Sequence, residues 1–170
     1  MWAFSDESER GNRMFLAVVF VLAAFLDGPR AELRKLLLPG QRSIHTRLES
    51  PRRRRVLLNA VANLDATAVV FRLRRSTGTK TEARRRLLTA AGAEARNRGA
   101  IMWVLDDVDF AQRARDRQAI QLMLRDLAYD HRPGRTEPLL WVADAICWAV
   151  GAGSDWRRRI SAVIELRDMS

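Results

Sequence analysis

Leu139-Leu140-Trp141-Val142-Ala143-Asp144-Ala145-Ile146-Cys147-Trp148-Ala149-Val150 is apolar throughout except for one carboxylate. A run of this kind is destined for a protein interior, where an ionised group is costly unless it is paired, protonated or bound to a cation. Two further acidic places stand where hydrophobic elements stop. Asp6 and Glu7 follow Met1-Trp2-Ala3-Phe4, and Asp106 and Asp107 end Ile101-Met102-Trp103-Val104-Leu105. If the fold gathers these three places, they form an oxygen-rich cluster suited to a hard divalent cation.

Working outward, residues 1–6 predict a short strand and residues 15–22 a second, joined by a polar turn around Gly11-Asn12, which makes a hairpin with its acidic tip at Asp6. Residues 31–38 predict a short helix, and 41–49 a loop or short edge strand. Ser50-Pro51 opens a helix as N-cap and first helical residue, and Val56, Leu57, Ala60, Val61 and Leu64 follow at helical spacing. Residues 66–73 are rich in β-formers, and Ser76-Thr77-Gly78-Thr79 reads as a loop. Helical spacing resumes over 81–98, and 101–105, bounded by Gly99 and Asp106, is short enough to be a buried strand. A long helix over 110–129, a turn at His131-Arg132-Pro133-Gly134, a helix over 138–149 and a final helix over 156–167 complete the chain. The order predicts an α/β layered domain.

The chain has 170 residues, 48% of them hydrophobic, which suits a single domain spanning 1–170. A net charge of +10 draws it to polyanions, with nucleic acid, DNA or RNA, as the leading partner. The charge is local: Arg52-Arg53-Arg54-Arg55, Arg84-Arg85-Arg86 and Arg157-Arg158-Arg159. The competing reading is solvated helix faces in an arginine-biased composition, since Lys35 and Lys80 are the only lysines. Cys147 stands alone, which excludes an intrachain disulfide and a thiolate zinc site and suits a reducing cytoplasm. The apolar stretch at 15–26 is shorter than the roughly 20 residues a membrane span needs and follows Asp6, Glu7 and Glu9, so neither a membrane partner nor a secretory leader is expected. Glycine-rich phosphate loops and zinc spacings are missing from the sequence, so no nucleotide cofactor is expected. His45 and His131 read as surface or structural residues, Cys147 as a packing residue, and Trp103, Trp141 and Trp148 as core, whereas Trp2 and Trp156 are open to either reading.

Ser5-Asp6-Glu7-Ser8, Val104-Leu105-Asp106-Asp107 and Leu140-Trp141-Val142-Ala143-Asp144-Ala145 together resemble the motifs of the bacterial domain-of-unknown-function family 3800, with Glu9 in place of its usual glycine and Trp141 in place of its glutamine. The layout more broadly resembles an RNase H-like fold. The resemblance implies a central mixed sheet of about four to five strands flanked by helices. It further implies a nuclease that uses Mg²⁺ or Mn²⁺ to hydrolyse phosphodiesters. Asp6, Asp106 and Asp144 would be its catalytic metal ligands, Glu7 and Asp107 further ligands, and Glu49 a reserve fourth acid. Arg52, Arg53, Arg55, Arg157 and Arg158 would follow the phosphate backbone, and a homodimer is an assembly to test. Structural alternatives stand beside each acid: a turn carboxylate at Asp6, a helix N-cap at Asp106 or Asp107, and a buried salt bridge at Asp144. The rival function is a catalytically silent module binding nucleic acid or a protein through its arginines. A third is a structural interaction protein.

Overall fold

The strands β1 (Trp2–Arg10) and β2 (Arg13–Val21) form a long antiparallel hairpin, turned at Gly11 and Asn12. Gly11 adopts φ +59°, the left-handed region that glycine enters without a steric cost. This computed structural model describes residues 1–75, 79–107, 109–123 and 127–169. The expected loop at Ser76-Thr77-Gly78 therefore lies outside the described residues. After the hairpin come α1 (Asp27–Arg34), α2 (Pro51–Ala62), β3 (Thr67–Arg74), α3 (Lys80–Asn97) and β4 (Met102–Asp106). The chain continues through α4 (Phe110–Met123), β5 (Ala128–Arg132), α5 (Leu139–Ala152), α6 (Ser154–Arg158) and β6 (Ile164–Met169).

Six strands form one mixed sheet in the order β5-β4-β1-β2-β3-β6, more than the four to five expected. One additional strand replaces the end of the helix expected over 110–129 and the first two residues of the turn expected at His131-Arg132-Pro133-Gly134, and the other replaces the end of the final helix. Ala128–Arg132 continues the spacing of Ile120, yet it pairs in parallel with β4, Met102 opposite Ala128, so the tertiary hydrogen-bond ladder overrides local periodicity. Likewise Ile164–Met169 pairs in parallel with β3, Ala68 opposite Ile164, and its alternating Ile164 and Leu166 face the core with period two. Of the final predicted helix only α6 and the turn after it remain. Asp6 is not at a hairpin tip either: β1 runs four residues beyond it to Arg10.

Strand alternation divides the apolar residues between two layers. Phe4, Phe15, Ala17, Val19 and Val70 pack against α5, with α1 and α2 beside it, while Ala3, Leu16, Val18, Trp103 and Leu105 pack against α3 and α4. Since α5 is buried on nearly every side, its apolar run is explained by position. Each large side chain removed from water there contributes about 1.5–3 kcal/mol. Ser5 Oγ accepts a 2.7 Å hydrogen bond from Trp103 Nε1, both residues buried, which locks β1 to β4 just before each strand reaches its acid. Ser50 caps α2 as expected, accepting from the Arg53 N–H at 3.3 Å. Trp103, Trp141 and Trp148 are buried, and Trp156 meets Trp148 edge-on at 5.1 Å. No helix among the described residues is long and apolar enough to cross a membrane.

Candidate active site

β1 and β4 run parallel with Ser5 opposite Leu105, so the next residues, Asp6 and Asp106, stand side by side on neighbouring strands. Strands in a sheet lie about 4.8 Å apart, which sets the scale of that approach. Asp6 shares the face of Phe4, toward α5, and α5 answers with Asp144. Cys147, one turn along, donates from Sγ to the Asp6 carbonyl at 3.3 Å and pins the helix to the strand. Three elements thus bring together the acids that the sequence singles out.

Electrostatics shows their mutual proximity. The Asp6 carboxyl is held well above the usual carboxylate range, first by burial and then by the charges of Asp144 and Asp106. Burial also raises Asp106 and Asp144, opposed at Asp106 by the Asp107 N–H and at Asp144 by the Thr46 N–H, which donates to Asp144 Oδ2 at 2.7 Å. Asp6 Oδ1 accepts from the Glu7 N–H at 2.7 Å. Among the described residues no arginine or lysine pairs with any of the three, so the buried salt bridge offered for Asp144 is not formed. The chain gathers carboxylates in a partly buried place and, among the described residues, pairs none of the three with an arginine or lysine.

The raised value at Asp6 has a thermodynamic sign. With a folded-state pKa above the unfolded one, the folded protein holds the proton more tightly, and stability is lost as pH rises from about 4 through the folded value. Asp6→Asn is therefore expected to raise the unfolding midpoint at neutral pH in EDTA and to flatten the fall in stability above pH ~4. Thermal melts across pH check this; parallel profiles for wild type and variant would contradict it.

The remaining predicted residues are placed differently. Strand alternation sends Glu7 to the face opposite Asp6, where it ion-pairs with Arg84; Arg84 also grips Asp116 with hydrogen bonds of 3.0 and 2.8 Å, and His131 stands 3.2 Å from Asp116. Asp107 pairs with Arg113, and its N–H donates to the Arg132 carbonyl at 3.0 Å. The N-cap contact at α4 comes from Asp109, which accepts from the Gln112 N–H at 2.8 Å. Glu49 is buried and held by Gln41 at 2.9 Å and Arg53 at 3.3 Å. Arg53 also donates to the Leu36 carbonyl. Neighbouring Arg54 bonds the Thr46 and Arg47 carbonyls at 2.9 and 2.7 Å and lies over Trp148. These two arginines thus hold the loop that presents the Thr46 N–H to Asp144, whereas Arg52 and Arg55 are exposed, Arg55 over Trp156. Arg157 and Arg158 are exposed on α6, and Arg158 pairs with Asp155.

His45 is the residue that sequence reading missed. In its charged form it favours ionisation of both Asp106 and Asp144, although it lies on an exposed loop far from either in the chain. The aperiodic segment 41–49 offers no local signal for this placement.

Among the described residues no three His, Cys, Asp or Glu side chains form a group that could hold a metal ion. Mg²⁺ needs fewer, being held by one or two carboxylates while keeping several waters and taking substrate phosphate oxygens. Asp6 and Asp106, side by side on neighbouring strands, are a pair of hard oxygen donors of the kind such an ion takes, and among the described residues no arginine or lysine is paired to either.

Neither a protein-family model nor a curated protein matches the chain. Among solved structures it is similar to the RNase HII of Archaeoglobus fulgidus, seen in its complex with PCNA, with 17% identity and a TM-score of 0.63 over 95% of this chain and 75% of that one. It is also similar to the ribonuclease H2 of Pyrococcus horikoshii, with 13% identity and a TM-score of 0.52 over 95% of this chain and 74% of that one. The chain has an RNase H-like α/β fold.

Proposed function

We propose that the protein is a divalent-metal-dependent nuclease that hydrolyses phosphodiester bonds of DNA or RNA. The observation that carries this reading is the convergence of Asp6, Asp106 and Asp144 from two strands and a helix, with no arginine or lysine paired to them among the described residues. The likeness to RNase HII supports it as an analogy of fold, and the resemblance to family 3800 belongs to the same proposal. Asp6 and Asp106 would hold Mg²⁺ or Mn²⁺, with Asp144 reaching the same place from α5. Bound there, the ion supplies water activation and stabilises charge on the phosphate oxygens. The chain's own work is positional. The Ser5–Trp103 bond fixes the two strands in register, the Thr46 N–H orients Asp144, and the Cys147 contact sets the height of α5 over β1.

Metal should stabilise the fold even without substrate. At Mn²⁺ one hundredfold above its dissociation constant the gain is about 2.7 kcal/mol, a rise of about 5–10 °C for a protein of this size. Wild type is expected to show that rise over EDTA, and Asp106→Asn to lose most of it. A wild-type midpoint indifferent to Mn²⁺ would refute the metal reading and leave the catalytically silent, arginine-driven binding module.

A further inference from the structure

Arg10, Arg13 and Arg74 form a row across three adjacent strands. They are direct partners in the ladder, Arg10 opposite Arg13 and Arg13 opposite Arg74. Strand alternation puts all three on the face of Asp6 and Phe15, beyond the last turn of α5, where Arg10 Nε lies 3.7 Å from the place a β-carbon at Gly151 would take. All three are exposed, and among the described residues none forms an ion pair; on the next rung inward Arg72 pairs with Asp168. Like charges directly opposite in a sheet repel. The one carboxylate near the row, Asp168, is already paired with Arg72 and also feels the charge of Arg13, so it stands alone against the guanidinium groups there and leaves a positive excess open to an anion from outside.

The row is continuous with the carboxylate centre. A cleft of about 560 Å³ brings Asp144 and Trp148 together with Arg10, Arg47 and Lys80; its other acids, Glu7 and Glu9, are paired with Arg84 and Lys80. A second cleft of about 230 Å³ takes in Arg13 and Arg74 together with the Arg72–Asp168 pair. Asp6, Ser8 and Arg10 share one face of β1, and at about 3.4 Å per residue Arg10 stands about 13–14 Å from Asp6. The predicted phosphate-binding groups compare poorly: Arg53 is consumed by Glu49 and the Leu36 carbonyl, and Arg158 by Asp155.

We infer that the Arg10–Arg13–Arg74 row is the seat of the nucleic-acid backbone, carrying a strand away from the carboxylate centre across the hairpin end of the sheet. This rests on the nuclease reading for its direction, but not for its existence. The double variant Arg13→Ala/Arg74→Ala tests it, because neither residue lines the cleft that holds Asp144. Binding of a fluorescein-labelled 20-nucleotide single strand is followed by anisotropy in EDTA over a NaCl series. Two lost phosphate contacts are expected to lower the slope of log K against log salt by about 1.4. Affinity at 100 mM NaCl should fall on the order of tenfold. The thermal midpoint should hold or rise, since repulsion has been relieved. A control, Arg52→Ala/Arg157→Ala, is expected to change the slope by less than half as much. An unchanged slope in the row variant, or an equal fall in the control, overturns the inference. Because no metal or cleavage enters the measurement, a failed Mn²⁺ shift and a failed row are separate results.

Discussion

Replacing Arg84 with Met is expected to be the most damaging single change to stability, costing about 3–5 kcal/mol and lowering the midpoint by on the order of 10 °C. Arg84 is buried between α3, β1 and α4, where it pairs with Glu7 and Asp116 at once. Burial would raise the Asp116 carboxyl, but the hydrogen bond with His131 and then the bonds and charge of Arg84 hold it far below the usual carboxylate range. Taking the cation away strands two acids in a place that water reaches poorly. The penalty comes from that orphaned charge more than from a lost bond, so adding Glu7→Gln and Asp116→Asn to Arg84→Met should recover a large part of it. Urea unfolding of the single and triple variants measures this. Equal losses in both would show that Arg84 acts by packing alone.

The second large effect concerns chemistry. Asp144→Asn is expected to lower metal-dependent cleavage of a labelled oligonucleotide by at least about a hundredfold, since even outer-shell partners of metal ligands commonly cost 10–100-fold. Affinity for the same oligonucleotide in EDTA should stay within about twofold, because the carboxylate is not a phosphate contact. The isosteric amide keeps one oxygen to accept from the Thr46 N–H, so the loop at 44–48 should keep its place. Cleavage by Asp144→Asn at the wild-type rate would remove Asp144 from the site.

The chain declared some of this in advance and concealed the rest for physical reasons. Asp144 was legible because a carboxylate within twelve otherwise apolar residues demands an explanation, and Asp6 and Asp106 because each follows a run that reads as buried strand. The two edge strands were not legible. Tyr129 and Leu166 continue helix-like apolar spacings, and only the open ladders of β4 and β3 decide for strand. Glu7 and Asp107 look equivalent to their neighbours on paper, yet alternation and pairing with Arg84 and Arg113 set them apart. The arginines divide in a related way. A cluster in sequence advertises itself, but Arg10, Arg13 and Arg74 become a cluster only when three strands are laid in register.

The two outermost strands also bear on how the molecule behaves in company. Among the described residues β5 and β6 end the sheet, and each offers unpaired backbone groups to any strand that approaches. Both are short and studded with charge: Asp130 and Arg132 on one, Glu165, Arg167 and Asp168 on the other. An incoming strand would have to dehydrate those groups or break the pairs Arg132 makes with Asp130 and Arg167 with Glu94. Extension of the sheet from one copy to the next is thereby discouraged, which guards a hydrophobic, strongly basic chain against fibrous self-association at high concentration.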